Sequence, residues 1–211
     1  MESLNDLIHL FSKVYDVEGV IRWGGLAGIL LIVFSETGLL IGFFLPGDSL
    51  LVAAGLFAAR GDLPLGWLLL GGSIAAILGD ATGYWIGLKA GEPLYRRKQT
   101  WFFRRDHLLK TKEFYDRHGG KTIVIARFVP IIRTFAPVVA GIAQMSYRRF
   151  ATFNVWGGIG WICSVTLLGY TLGKTFPAVI KRIDLLIIVI IAVSLLPIVF
   201  EYLRHRRRNK A

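Results

Sequence analysis

Charged side chains stand inside two apolar stretches of this chain, where charges are rare. Glu36 and Asp48 belong to the first stretch, and Arg127 and Arg133 belong to the second. A charge at the bilayer centre costs roughly 2.5–3.5 kcal/mol on insertion scales, so such residues need a partner or a function. Guanidinium groups bind phosphate oxygens in pairs, whereas a buried carboxylate can take up a proton. This chemistry predicts phosphate binding at Arg127 and Arg133 and proton coupling at Glu36 and Asp48.

A permanent structural role for the same residues is the alternative. Acids and arginines that are buried together can form ion pairs that hold the two stretches in place. Both roles are compatible if the arginines rest on the acids when the site is empty and turn to phosphate when substrate binds. Asp80, in a third apolar stretch, is a possible accessory residue. A hydrogen bond between helices and a coupling role are both open for it.

The first apolar stretch is interrupted after its first part, residues 24–45, by a turn signal. Pro46 and Gly47 follow it and favour a turn. The helix expected next, over residues 50–59, would be roughly 15 Å long and cannot cross a hydrocarbon core of about 30 Å. The pattern therefore predicts a re-entrant hairpin, which is tolerated only inside protein or beside a water-filled cavity.

The second apolar stretch, residues 122–145, contains two prolines. Pro130 and Pro137 each remove a backbone donor, so each is expected to bend or end a helix. Arg127 and Arg133 would point in different directions on a straight helix. A break at Pro130 would let both face one cavity, and a second re-entrant hairpin is predicted here.

Three further stretches are long enough to span a bilayer. They cover residues 64–88, 150–173 and 183–203, and an amphipathic helix within residues 1–22 is expected to lie at the membrane surface. Small residues recur at every fourth position along the first span, which predicts the close approach of another helix. They are Gly71, Ala75, Gly79, Gly83, Gly87 and Gly91.

The composition is that of a membrane protein with a cytoplasmic basic tail. The chain has 211 residues, of which 54% are hydrophobic, and a net charge of +11. The positive charges cluster in the loop 89–121 and the tail 204–211, directly beside apolar spans. The positive-inside rule places both clusters in the cytoplasm. It accounts for the charge, so no nucleic-acid partner is expected.

Metal binding and enzymatic catalysis find little support in the residue types. Cys163 is the one cysteine, and histidines 9, 107, 118 and 205 lack metal-ligand spacing. We therefore expect no metal and no cofactor. A lipid phosphatase would need a nucleophile beside a base, and no such set is apparent, so we expect no enzymatic activity. A non-catalytic scaffold or assembly factor for other envelope proteins remains the alternative to a transporter.

The charge rule also predicts the arrangement of the segments. With the tail inside, the two hairpin-plus-span units face opposite sides of the membrane. The expected fold is an all-α membrane protein: an inverted repeat of two re-entrant hairpins, each followed by a transmembrane helix. The membrane domain covers 24–175, the C-terminal transmembrane helix covers 183–203, and the amphipathic helix precedes them.

Several motifs resemble the DedA family of integral membrane proteins, which shares the VTT (SNARE-associated) domain. The resemblance covers roughly residues 24–175, and the arginine-containing motif is its most specific part. One departure is Gly83, where a typical member has Asn. The matching stretches are Glu36–Leu39, Leu45–Leu51, Gly79-Asp80, Tyr84–Gly87, Phe114–Ile123, Ala126–Pro137 and Ala140-Gly141, with Met145, Asn154 and Trp161.

The resemblance implies a transporter of the bacterial inner membrane. Family members are linked to the translocation of undecaprenyl phosphate or phospholipids, with dependence on the proton gradient. The family's acids correspond to Glu36 and Asp48, and its arginines correspond to Arg127 and Arg133. The expected partners are therefore a lipid with an anionic headgroup and protons, and a homo-oligomer is possible.

Overall fold

A computed structural model describes residues 17–39, 47–96, 113 and 120–176. These residues are helical apart from short connections, and they contain no strand. The chain is therefore all-α over its described part, as predicted. Pro46, the C-terminal span 183–203 and the tail 204–211 lie outside the described residues, as do most of the N-terminal helix and of the basic loop.

The first half of the described chain forms three helices. They are α1 (Val17–Gly38), α2 (Gly47–Arg60) and α3 (Leu65–Arg96). The helix α1 is kinked at Gly25, whose φ of 51° and ψ of −145° are accessible to glycine but not to most residues. The 14 residues of α2 extend about 21 Å, less than the thickness of a hydrocarbon core.

The second half repeats this pattern of a short helix and a long one. Residues 120–126 are helical, residues 127–129 are not, and α4 (Pro130–Ile142) and α5 (Tyr147–Thr175) follow. Pro130 begins α4, where the backbone N–H has no partner within the helix, so the missing N–H of proline costs no hydrogen bond. Pro137 lies inside α4, so it does not end the helix. It removes one backbone donor, and the remaining hydrogen bonds carry the helix on.

Two helices of the described part are long and apolar enough to cross a membrane. They are Leu65–Gly91 within α3 and Tyr147–Thr175, which is α5. At 27 and 29 residues they extend about 40 Å, more than a hydrocarbon core requires. Long apolar helices are thus confirmed where the sequence predicts spans, at 64–88 and 150–173.

Both short helices end in the same type of turn. Gly61 and Gln144 adopt left-handed backbone conformations, with φ of 92° and 56°. The residue after each of them, Asp62 or Met145, donates its N–H to a carbonyl five residues back, at 3.0 Å. This is a Schellman cap, which satisfies the last carbonyls of a helix and reverses the chain. Each short helix is thereby joined directly to the long helix that follows it.

Each short helix packs along the long helix of the other half. Val52 and Gly55 of α2 contact Gly169 and Thr166 of α5, while Val138 and Gly141 of α4 contact Gly87 and Tyr84 of α3. A Cβ atom on any of the glycines would overlap the backbone opposite. In both pairs the two helices run in the same direction. Asp48 and Val52 of α2 lie beside Trp161 and Gly169 of α5, and Val138 and Ile142 of α4 lie beside Gly87 and Gly91 of α3.

The glycine stripe of α3 serves two neighbours in turn. Gly71 lies against Leu30 of α1, and Gly79 lies against Thr37 of α1. Further along, Gly87 and Gly91 lie against α4. The prediction that the stripe admits close helix approach is confirmed. The end of α1 lies beside Gly79, at mid-length of α3. The polar residues near the end of α1 therefore lie in the middle of the protein.

Candidate functional site

Arg133 is held between two carboxylates from the first half of the chain. It lies in the first turn of α4, where its Nη2 donates to Glu36 Oε1 and its Nη1 donates to Asp48 Oδ1 at 2.9 Å. Glu36 is in the last turn of α1, and Asp48 is in the first turn of α2. We call these three residues, together with Trp161, the Arg133 centre. The two chain breaks therefore meet at one arginine.

Trp161 of α5 supports both sides of the Arg133 centre. Its Nε1 donates to Asp48 Oδ1 at 2.9 Å, and its ring lies under the Arg133 guanidinium, 4.3 Å from Cζ to the ring centroid. A cation over an indole face is attracted by the ring quadrupole. Sequence reasoning noted Trp161 only within a motif. The sequence feature that could have identified it is a Trp inside an apolar helix, because a buried indole N–H needs a hydrogen-bond acceptor.

The Arg133 centre is buried except at Asp48. The side chains of Arg133 and Glu36 are 2% and 4% exposed, whereas that of Asp48 is 29% exposed. Access to the arginine is therefore from the side of Asp48. With both acids ionised, this centre carries one negative charge in excess.

Gly47 fits against the Glu36 carboxylate. A Cβ atom at position 47 would overlap the carboxylate oxygens, so a larger residue would displace the acid from Arg133. Gly47 begins α2, three residues before the start of the helix predicted over 50–59. Asp48 follows it in the first turn, where the helix dipole favours a negative charge. The local sequence thus places one acid and leaves room for the other.

Arg127 forms a second, separate centre. It lies in the non-helical break before α4, and its Nη2 donates to Asp80 Oδ2 at 2.6 Å and to the side-chain oxygen of Asn154. The amide nitrogen of Asn154 donates in turn to the carbonyl of Ile77 at 3.0 Å. Glycines at 157 and 158 leave space for the guanidinium on α5. We call Arg127, Asp80 and Asn154 the Arg127 centre.

The Arg127 centre is closed to its surroundings and neutral in sum. The side chains of Arg127 and Asp80 are 1% and 2% exposed. Arg127 pairs with Asp80, whereas Arg133 pairs with the two other acids, so the two arginines have different ionic partners. Asp80 therefore has an ionic partner rather than only a helix-packing bond. Asn154, like Trp161, was noted only within a motif.

Both arginines keep buried donors without a bond. Arg127 Nε and Nη1 and Arg133 Nε have no hydrogen-bond partner among the described residues. Buried N–H groups of a guanidinium are costly to leave unpaired and are well placed to bind oxygen atoms of an anion. The arrangement can therefore exchange a carboxylate for a phosphate without building a new cation site.

No group of three or more potential metal ligands occurs within the part of the chain that the structure describes. Cys163 lies in α5, half-buried and unpaired with another cysteine. The described residues of the site thus offer charged side chains and hydrogen bonds.

Comparison with known proteins identifies the family. The model of the VTT domain matches residues 45–171. The chain is 51% identical over 181 residues to Protein DedA of Escherichia coli (strain K12), covering 85% of this chain and 82% of that protein. It is 42% identical over 196 residues to the uncharacterized membrane protein Rv0364 of Mycobacterium tuberculosis (strain ATCC 25618 / H37Rv), covering 92% and 86%.

A more distant relative is the inner membrane protein YqjA of Escherichia coli (strain K12), 35% identical over 179 residues, with 82% of this chain and 78% of that protein covered. No solved structure matches the chain. The two described helices of membrane-spanning length agree with relatives that are named as membrane proteins. The chain therefore belongs to the DedA family of membrane proteins.

Proposed function

We propose that the protein moves a phosphate-bearing lipid, such as undecaprenyl phosphate or a phospholipid, across the membrane, coupled to protons. The observation that carries this proposal is the Arg133 centre, in which one guanidinium is shared by two carboxylates. One of these, Asp48, is partly exposed. The centre thus combines a phosphate-binding group with two proton acceptors and an opening.

Protonation would exchange the acids for phosphate. With both acids ionised, the excess negative charge of the Arg133 centre repels an anionic headgroup. A proton on Glu36 or Asp48 removes that charge and frees one edge of the guanidinium fork. Two oxygens of a phosphate can then replace the carboxylate, because fork and phosphate match in geometry. Loss of the proton restores the ion pair and expels the lipid.

Arg127 is the proposed second phosphate contact. Its Nε and Nη1 are unbonded among the described residues, so it can bind an anion while Nη2 stays on Asp80. Because this centre is closed, Arg127 would reach phosphate only when the break at 127–129 moves. In the resting state it holds that break against α3 and α5 through Asp80 and Asn154.

The architecture supports alternating access. Both short helices start at mid-length of the long helices and end at opposite faces, as two re-entrant hairpins of an inverted repeat would. In this proposal the protein lies in the bacterial inner membrane with its C-terminus in the cytoplasm. The hairpins present the Arg133 centre to each side in turn, and lipid movement needs no covalent step and no cofactor.

The test is transport of a fluorescent polyprenyl phosphate by purified protein in liposomes with a pH gradient. Arg133→Lys keeps the charge but loses the fork, so we expect binding and transport to fall about tenfold or more, one charged hydrogen bond being about 1.5–3 kcal/mol. Arg148→Lys, at an exposed position of α5, is the matched control and should behave like wild type. Wild-type transport by Arg133→Lys would remove Arg133 from the substrate site.

The acids are tested in the same liposomes. Glu36→Gln and Asp48→Asn should fold but lose transport driven by the pH gradient, since neither can then exchange a proton. Normal gradient-driven transport by both variants would contradict proton coupling. If the wild-type protein itself moves no lipid, the transporter proposal is wrong, and the scaffold role becomes the better account.

A further inference from the structure

A cavity lies at the far end of α2, away from both charged centres. It encloses about 480 Å³, a size typical of small-molecule sites. It sits where the end of α2 meets the kink of α1 and the turn into α3. Its lining residues are Ile21, Gly25, Phe57, Arg60, Asp62 and Leu63.

The position of this cavity separates it from the Arg133 centre. Arg60 is twelve residues beyond Asp48 on α2, which corresponds to about 18 Å along the helix. Because α2 runs in the same direction as the α5 segment it packs on, the cavity lies towards the Thr175 end of α5. The opposite end of α5 carries the exposed Arg148 and Arg149, which the positive-inside rule places in the cytoplasm. The cavity therefore faces the outer leaflet.

Apolar side chains and a charged pair line the cavity in about equal share. Ile21, Phe57 and Leu63 are buried, at 4%, 4% and 8% exposure. Arg60 pairs with Asp62 at 3.3 Å, and their side chains are 36% and 50% exposed. An ion pair so accessible to solvent is worth about 0–1 kcal/mol at most, so another anion can readily replace Asp62.

The backbone around the cavity keeps it open. Gly25 has a φ of 51°, and no described atom would lie within 4 Å of a Cβ placed there. The Arg60 guanidinium lies over the Phe57 ring, 5.2 Å from Cζ to the centroid. The ring holds the cation at the cavity, because a guanidinium is attracted to an aromatic face. A cation beside apolar side chains suits an amphiphile with an anionic head.

We infer that this cavity is an outer-leaflet binding site for a phosphate-bearing lipid, with Arg60 at the phosphate and the apolar wall at the first part of the chain. The inference rests on the proposed function and adds a docking step before the Arg133 centre. Asp62 competes with the phosphate for Arg60. The site thus holds the headgroup at the membrane surface, one helix length from the centre that carries it across.

Two substitutions in the charged pair of the cavity have opposite expected effects. In detergent, native mass spectrometry with a short-chain polyprenyl phosphate should give weaker binding for Arg60→Gln, by about three- to tenfold for one charge-assisted bond at a partly exposed site. Asp62→Asn should bind more tightly than wild type, because Arg60 loses its competitor. Inorganic phosphate is the second probe and should bind at least tenfold more weakly, since it cannot use the apolar wall.

Lys174 provides the matched control. It is an exposed cation at the same end of the protein, 5.8 Å from the Tyr170 ring centroid, and does not line the cavity. Lys174→Gln should leave lipid binding unchanged. Equal weakening by Arg60→Gln and Lys174→Gln would reduce the effect to general surface charge and overturn the inference, as would unchanged binding in Asp62→Asn or equal affinity for inorganic phosphate.

Arg133→Lys, measured in parallel, separates the two proposals. If it loses lipid binding while Arg60→Gln retains wild-type affinity, the outer site is wrong and the transport site stands. If Arg60→Gln and Asp62→Asn shift binding as expected and Arg133→Lys does not, the cavity binds lipid and the proposed transport site is wrong. If the wild-type protein binds no lipid phosphate, both are wrong.

Discussion

The Arg127 centre should behave as one energetic unit. Asp80→Asn leaves the Arg127 guanidinium buried without its anion, and Arg127→Gln leaves the Asp80 carboxylate buried without its cation. Breaking a buried pair by removing one partner costs about 3–5 kcal/mol. The pair is 1% and 2% exposed, so solvent screening does not reduce this figure. Each single variant should therefore be strongly destabilised.

The double variant Asp80→Asn with Arg127→Gln should be destabilised by less than the sum of the two single changes. It leaves two neutral amides beside Asn154, which can bond to one another, and no uncompensated charge. The expected coupling is about 2–3 kcal/mol, the upper range for residues in direct contact. Unfolding in mixed micelles with a denaturing detergent, at fixed lipid content, gives the four free energies of the cycle. Additive effects of the single changes would refute a closed, paired Arg127 centre.

Three further changes test other contacts. Gly47→Ala should push the Glu36 carboxylate off Arg133 and reduce gradient-driven transport in liposomes, whereas an active variant would contradict the close fit at Gly47. Trp161→Phe keeps a ring under the cation but loses the N–H to Asp48, so transport should fall less than in Trp161→Leu; equal losses would exclude a role for the ring. Gln144→Gly should raise the free energy of unfolding by about 1 kcal/mol by relieving a left-handed non-glycine residue, and no gain would refute that strain.

The lengths and breaks of the helices were already determined by the sequence. Length and hydropathy specify α3 and α5 as spans, because both depend only on neighbouring residues. Pro130 begins a short helix for a local reason as well, namely its missing N–H. Pro137 was the exception, since whether a helix continues past a proline depends on how neighbours accommodate it.

The charged residues were also apparent from sequence, but their pairing was not. Arg133 bonds to acids 85 and 97 residues away, while Arg127 bonds to Asp80, 47 residues away. Charge alone allows either arginine to pair with any of the three acids. The choice is made by the register in which each short helix lies on its long partner.

That register is a property of the tertiary structure alone. It is set where backbones touch, as at Gly55 on α5 and Gly141 on α3, and a shift of one turn there would move an arginine about 5 Å from its acid. The sequence shows that small residues permit close approach, but not which helix approaches or at what height. For the same reason Trp161 and Asn154 entered the two centres only through the fold, which brings their polar atoms to Asp48 and Arg127.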